Sequence, residues 1–309
     1  MNYKFLDLTT LAALAMLAGC ASRPPAQEAG QQRADRREDL GVLVMAHGGG
    51  KQWNKEVLAA IEPLKAAHNI EVAFGMADAM SLQQGVERLE ARGARRIGVV
   101  RLFISGESFL ERTEQILGLA PGAPQRAAVK TEHDGHEGHS MEFWRIDTQS
   151  SFAVSRQGLV EAPEMSNVLV ERARTLSKEP QREDVLILAH GPGDDAENER
   201  WLAHLEARAE VVRHALPFRT VRVETLREDW PEKRIEAEQR IRGYVEQAAT
   251  TGRAIVIPFR VQGFGPYAEV LKGLDYASDG RGLVPDAGVT QWIEHQIATL
   301  ERAEFRAAN

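Results

Sequence analysis

Two histidines of this sequence stand in closely matching surroundings. His47 lies in the run VLVMAHGGG and His190 in the run VLILAHGPG, so both follow an apolar stretch and precede a glycine. A neutral imidazole is a good ligand for divalent transition metals, and its pKa near neutrality also suits a proton acceptor. The glycines, Gly48 and Gly191, permit a tight turn and the close approach of a ligand. The pattern predicts a metal-binding or proton-transfer site, and the alternative is a histidine bonded to backbone at a tight turn.

A second candidate metal site is the segment HDGHEGH, which contains His133, His136 and His139. Its glycines and its lack of apolar residues predict a flexible loop. Tracts of this kind bind divalent transition metals with modest affinity. The spacing does not match a closed structural zinc site, and no cysteine is nearby. The alternative is a solvated polar loop without a ligand.

The elements that position these histidines alternate between strand and helix. The near-continuous apolar runs that end at His47 and His190 are typical of strands buried on both faces. Each run is followed by helix, strand, helix, strand and helix patterns in the same order, which predicts a duplicated domain. The alternation predicts two similar, doubly wound α/β domains with parallel sheets. Ligands bind beyond the carboxyl ends of such strands, where both histidines fall.

The domain boundaries follow from this repeat. Residues 40–160 are predicted to form the N-terminal domain, which includes the His-rich loop. Two short runs in it, Glu142 to Asp147 and Phe152 to Arg156, are predicted to pair as a hairpin. Residues 161–309 are predicted to form the C-terminal domain. We expect the two domains to face a central cleft.

The N-terminal residues 1–19 are predicted to be a lipoprotein signal peptide. A short apolar core follows Lys4 and ends in LAGC at Cys20, the one cysteine of the chain. LAGC resembles a lipobox, in which the cysteine is diacylated after cleavage, and the alternative is an ordinary signal peptide that contains a cysteine. Residues 20–39 are polar and predict a flexible tether. Two acyl chains on Cys20 would anchor the protein in the cell envelope, and Ala21 favours the outer membrane facing the periplasm.

Composition excludes one class of partner. The chain has 309 residues, 43% of them hydrophobic and 27% charged, with a formal net charge of −7. These values are typical of a globular protein with a sizeable core. Acidic and basic residues are interspersed, without a basic surface for nucleic acid. We therefore expect no nucleic-acid partner.

The motifs resemble the CbiX/SirB type of sirohydrochlorin chelatase, in the class II chelatase superfamily. Members begin with an apolar strand that ends in a His-Gly pair, as VLVMAHGGG and VLILAHGPG do. The segment GMADAMSLQQGVERLEARGARRIGVVRLFISG is similar to the part of the family in which a helix leads to a strand and a glycine. The resemblance covers residues 40–125 and 183–277. It implies the chelatase-like, flavodoxin-like topology in both domains of a tandem-domain lipoprotein.

The resemblance also implies a function. Such enzymes insert Co²⁺ or Fe²⁺ into a tetrapyrrole such as sirohydrochlorin, and Ni²⁺ and Zn²⁺ are further candidate metals here. His47 and His190 would act as metal ligand or base, and Gly48 and Gly191 would contact the bound ligand. The carboxylates Glu107, Glu111 and Glu269 lie near the right strand ends to assist.

The sequence departs from the family at a second histidine position. Ser108 stands there in the first half, and Gly265 in the second. Arg101 replaces a strand proline whose counterpart, Pro258, is kept. These departures favour the alternative function of a catalytically reduced envelope lipoprotein that binds divalent metal or tetrapyrrole. A third hypothesis is a structural lipoprotein in which the histidines have no ligand.

Overall fold

Within residues 39–126 and 141–308, which the computed structural model describes, eight strands form two sheets. The strands are β1 (Leu40–Ala46), β2 (Asn69–Phe74), β3 (Arg96–Leu102), β4 (Ser151–Val154), β5 (Glu183–Ala189), β6 (Thr220–Thr225), β7 (Arg253–Phe259) and β8 (Arg306–Ala307). The first sheet has the order β2-β1-β3-β4-β8, and the second has the order β6-β5-β7.

The two sheets repeat one parallel arrangement. Strands β1 and β5 are central in their triplets and buried along their whole length. Ala46 pairs with Leu102 on β3, and Ala189 pairs with Phe259 at the same point of β7. Central strands covered on both faces require continuous apolar runs, which the sequence supplies. The predicted α/β fold class with two similar parallel sheets is confirmed.

Eight helices of the described residues connect and cover these strands. They are α1 (Lys51–Ile61), α2 (Ala79–Ala91), α3 (Leu110–Ile116), α4 (Glu164–Leu176), α5 (Asp195–Ala215), α6 (Pro231–Thr251), α7 (Tyr267–Val270) and α8 (Ala287–Leu300). Asp78 caps α2 by accepting a hydrogen bond from Ser81 N, and Asp194 caps α5 through Glu197 N. Such caps satisfy amide groups that the first turn leaves without partners.

The end of the chain returns to the first sheet. Helix α8 packs on β3, and a Cβ at Gly98 would lie 3.3 Å from Leu300. Strand β8 pairs antiparallel with β4, with Phe152 opposite Arg306. One buried apolar cluster includes residues of β1, β5 and α8. The division at residue 160 stays a prediction. The last helix, α8, packs on the first sheet, and the last strand, β8, forms its edge, although both follow residue 160.

The predicted hairpin is wrong. Strand β4 pairs in parallel with β3, and residues 142–147 form no strand with it. Instead Ala79 N donates to Glu142 O, and Glu142 N donates to Asp78 Oδ1. The amino end of α2 thus binds this segment, while β4 buries Phe152 by extending the sheet.

Several of the predictions concern residues outside the part of the chain that the structure describes. These are the signal peptide, the tether up to residue 38, Cys20, and the His-rich loop with His133, His136 and His139. None of the helices within residues 39–126 and 141–308 has the length and apolar composition that crossing a bilayer requires.

Candidate functional site

His47 and His190 line the same cleft. Each follows the last residue of a central strand, so both lie at the carboxyl edge of a parallel sheet. The cleft has a volume of about 390 Å³. Small-molecule sites typically occupy roughly 300–1,000 Å³ and lie at this edge of α/β sheets. The structure therefore brings together the two side chains that the repeated motif singled out.

The two imidazoles are held in the same way. Nδ1 of His47 donates to Gly48 O at 2.7 Å, and Nδ1 of His190 donates to Gly191 O at 3.0 Å. A carbonyl oxygen only accepts, so each bond places a proton on Nδ1, and the neutral form of such a ring has its lone pair on Nε2. Gly48 and Gly191 both have φ of 73°, a conformation that favours glycine.

The two glycines are buried and are not among the residues that line the cleft. A Cβ at Gly191 would lie 2.6 Å from Thr225 Cβ, on the protein side of the turn. Their observed contribution is to the backbone turn that presents each histidine. Direct contact with a ligand stays a prediction.

Aromatic side chains dominate the cleft. Three of the five tryptophans of the chain line it. Trp53 stacks on His47 with ring centroids 5.3 Å apart, and Trp201 lies edge-on to His190 at 4.8 Å. Trp230 is the third. Large rigid rings of this kind supply apolar surface for a flat ligand.

Other aromatic residues divide between the cleft and the core. Phe103 and Phe109 line the cleft, with ring centroids 5.3 Å apart. Phe264 and Tyr267, which follow β7, pack against each other edge-on instead, and Tyr267 is fully buried. They belong to the apolar cluster behind the second sheet.

The carboxylates of the cleft differ from the expected set. Of the three candidates, Glu107 lines the cleft, whereas Glu111 and Glu269 are exposed elsewhere. The structure adds acidic residues that the sequence interpretation missed, namely Glu197, Glu228 and Asp229. The last two follow the carboxyl end of β6. The rule that ligands bind beyond the carboxyl ends of parallel strands, which located the histidines, could also have located these two acids.

Two ion pairs shape the charged part of the cleft. Glu107 accepts both Nε and Nη2 of Arg200, at 2.7 and 2.6 Å, which joins the first half to α5. Glu228 accepts Nη1 of Arg260, and both side chains are largely buried. By strand register Arg260 occupies the position that Phe103 holds in the first half.

Burial also changes proton affinities here. Burial lowers the pKa of His190, against the opposite effect of the nearby Glu228 carboxylate. The ring is therefore neutral at neutral pH, as a metal ligand or base must be. Burial raises the pKa of Glu197, although Trp201 Nε1 donates a hydrogen bond to its carboxylate at 3.2 Å.

The departures from the family pattern have separate places. Ser108 lines the cleft. Gly265 is exposed and lies against the guanidinium of Arg260, with a φ of 60°. Within residues 39–126 and 141–308, no three histidine, cysteine or acidic side chains lie close enough to hold a metal ion.

Comparison with known proteins defines the class of the fold. The paired parallel sheets, with a cleft at their carboxyl edges, are the class II chelatase fold of the CbiX/SirB type. No protein-family model matches the sequence, and no curated protein matches it.

Two of the solved structures that share this fold come from bacteria. SirB from Bacillus subtilis with Fe³⁺ has a TM-score of 0.59 and 13% identity, and the match covers 85% of this chain and 96% of SirB. DR2241 from Deinococcus radiodurans, a multi-domain protein with structural similarity to chelatases, has a TM-score of 0.54 and 19% identity. That match covers 86% of this chain and 56% of DR2241.

Proposed function

We propose that this protein binds a tetrapyrrole such as sirohydrochlorin in the aromatic cleft and inserts Co²⁺ or Fe²⁺ into it. The observation that carries the proposal is that both histidines of the duplicated motif and three tryptophans line one cleft. The SirB structure that shares the fold contains Fe³⁺, which supports a metal ion as one of the substrates.

The geometry suits the chemistry of insertion. The reaction replaces two pyrrole protons with a divalent cation, so the site must hold the macrocycle and accept protons. His190 is neutral and carries its lone pair on Nε2 because Nδ1 donates to Gly191 O. His47 has the same backbone bond, to Gly48 O. One imidazole can approach the metal while a carboxylate of the cleft or the other imidazole takes a proton.

The test is insertion by the soluble form without residues 1–20. Sirohydrochlorin and Co²⁺ are mixed with the protein, and the absorbance change is compared with the spontaneous rate. We expect acceleration in the wild type, and a loss of about 10²-fold or more in His47→Ala and His190→Ala. His214→Ala is the matched control, because His214 is exposed near the end of α5. No acceleration by the wild type would refute insertion.

The second candidate function is binding without insertion. Its supporting observations are Ser108 and Gly265 at the family's histidine positions and the absence of a three-ligand metal group among the described residues. Calorimetry with Co²⁺, Ni²⁺ and Zn²⁺, and tryptophan quenching by metal-free sirohydrochlorin, separate the ligands. Trp53→Phe should weaken the quenching, and Trp144→Phe is the control because Trp144 lies outside the cleft. Saturable binding without acceleration supports this second function.

We further propose that the protein acts in the cell envelope, anchored by lipid on Cys20. The support is the LAGC motif and the polar residues 20–39. Cys20→Ala should abolish labelling by radioactive palmitate and release the protein from the membrane fraction. Labelling that survives the substitution would refute the anchor.

The loop with His133, His136 and His139 is proposed as an auxiliary metal site that delivers or buffers the cation. Its support is the histidine spacing alone. Replacing the three histidines by asparagine should lower metal stoichiometry in calorimetry and leave tetrapyrrole binding unchanged. An unchanged stoichiometry would refute the auxiliary site.

A further inference from the structure

Arg101 is a charged residue buried behind the first-half wall of the cleft. It lies on β3 opposite Met45, and 1% of its surface is exposed. The equivalent position of the second half, opposite Leu188, is Pro258. A buried guanidinium is costly unless every N–H group has an acceptor, so its bonds indicate what it does.

Its side chain donates to three backbone carbonyls. Nε donates to Ser155 O at 2.9 Å, Nη1 to Ser108 O at 2.7 Å, and Nη2 to Gly106 O at 2.6 Å. Burial lowers the pKa of Arg101 to about 10, so the group is still charged at neutral pH. Two of the three acceptors lie in the segment 106–109, which we call the first-half loop.

The first-half loop is part of the cleft. Glu107, Ser108 and Phe109 all line it. Phe109 has φ of 55°, a conformation that non-glycine residues seldom adopt and that persists where the surroundings impose it. Glu161 holds the loop from a second side, because its carboxylate accepts Gly106 N at 3.2 Å and Gly158 N at 2.7 Å.

We propose that Arg101 is a positioning residue for the ligand, because it fixes the first-half loop so that Ser108 and Phe109 form a rigid wall for the flat face of a macrocycle. The inference rests on the proposed tetrapyrrole site and deepens it. Where the family resemblance leads one to expect a second histidine, this half presents a fixed apolar ring and a hydroxyl. Pro258 has no side-chain donor with which to do the same in the second half.

The experiment measures the Kd of the full-length chain for metal-free sirohydrochlorin by tryptophan quenching. Arg101→Met should raise Kd about ten-fold or more, since misplacing a binding wall by an ångström has effects of that order. Arg101→Lys keeps the charge but cannot reach both loop carbonyls, and should give an intermediate Kd. Arg172→Met is the matched control, because Arg172 is also a buried arginine bonded to backbone carbonyls. Its partners, Pro258 O, Asp279 and Arg281 O, do not line the cleft.

Amide hydrogen exchange supplies a readout that does not need a ligand. In the wild type, the amides of residues 106–108 should be protected, because each has an acceptor in Ser105 or Glu161. Arg101→Lys should speed their exchange and leave that of residues 263–265 unchanged. Arg172→Met should leave residues 106–108 protected.

The outcomes distinguish this inference from the proposed function. If the wild type binds the macrocycle and folded Arg101→Lys binds it equally well, Arg101 does not position the ligand. If the wild type does not bind, the proposed function fails, and exchange alone decides whether Arg101 fixes the loop. If Arg101→Met does not fold, Arg101→Lys decides, and rapid exchange of residues 106–108 in the wild type would overturn the inference by itself.

Discussion

The two His-Gly turns share a backbone conformation. Gly48 and Gly191 have the same φ, and the preceding histidines donate Nδ1 to the carbonyl oxygen that follows them. Each turn ends a central strand of a parallel triplet. The two turns therefore place an imidazole at the edge of each sheet in the same way.

The walls beside the two turns differ. In the first half, the residues directly after β2 and β3 that line the cleft are the apolar Met76, Phe103 and Ile104. In the second half, the residues after β6 and β7 are Glu228, Asp229 and Arg260, followed by apolar Val261. Two similar sheet edges thus support two chemically distinct walls. The second wall places charge beside His190, where burial lowers the pKa of the ring, Glu228 acts to raise it and Arg260 acts to lower it.

The largest expected effect concerns the pair of equivalent positions 103 and 260. Arg260→Met leaves the Glu228 carboxylate largely buried without its partner, which should cost about 3 kcal/mol of unfolding free energy. Phe103→Leu keeps an apolar side chain and should cost about 1 kcal/mol. Chemical denaturation measures both. Equal losses of unfolding free energy in the two variants would contradict the predicted difference between the walls. The double variant Arg260→Met/Glu228→Gln should recover much of the stability lost in Arg260→Met.

A second pair compares the glycines three residues after each histidine. A Cβ at Gly193 would lie 2.2 Å from Trp230, whereas a Cβ at Gly50 meets nothing within 4 Å. Gly193→Ala should therefore cost about 1–3 kcal/mol and weaken tetrapyrrole binding through Trp230. Gly50→Ala should stay within about 0.5 kcal/mol of the wild type. Thermal or chemical unfolding of both variants measures the two free-energy changes. A Gly193→Ala variant as stable as the wild type would contradict the predicted difference.

The pH dependence of stability tests the enclosed environment of His190. Burial lowers the pKa of His190 below its ordinary 6.5, so the unfolded state takes up a proton that the folded state does not. Stability associated with the neutral ring is present above pH 6.5 and is lost as the pH falls below it. In His190→Asn this loss should be smaller. Melting temperatures at about pH 7.5 and about pH 5.5 measure this loss, with His214→Asn as the control. Identical pH profiles of the wild type and His190→Asn would contradict the prediction.

The smallest effect is expected for the ion pair that joins the halves. Arg200 and Glu107 form two hydrogen bonds, yet about half of each side chain is exposed to solvent. Exposed pairs contribute little because water and salt screen them. A double-mutant cycle with Arg200→Gln and Glu107→Gln should show little coupling in stability, and less at high salt. Strong coupling would mean that this contact holds the halves together.

Sequence patterns predicted the central part of the fold well. Strands β1 and β5 are recognisable in the sequence as apolar runs, because parallel strands covered on both faces need apolar residues throughout. The position of His47 and His190 at the carboxyl edge followed from the same rule. The end of the first sheet was less predictable. Strand β8 has two residues, too few for a periodic signal, and the short run at β4 was predicted with the wrong partner.

The chemistry of the walls was less predictable. Trp201 and Trp230 reach the cleft from α5 and from the loop before α6, and nothing local distinguishes them from core tryptophans. In the sequence, Arg101 was noted only as a replacement for a strand proline. Its three carbonyl acceptors come close to it only in the folded chain, where the first-half loop lies over β3. Spacing along the chain carries no information about such nonlocal bonds.

The return of α8 and β8 to the first sheet has a consequence for how the chain folds. The pairing of Phe152 with Arg306 and the packing of Leu300 near Gly98 join residues far apart in sequence. Contacts of that range slow folding, because a long loop must close before they form. A chain emerging from its amino end cannot finish the first sheet until its last residues are available. The first sheet is therefore completed only after the second half of the chain has been made. Removing residues from the carboxyl end should destabilise the first sheet more than the second sheet.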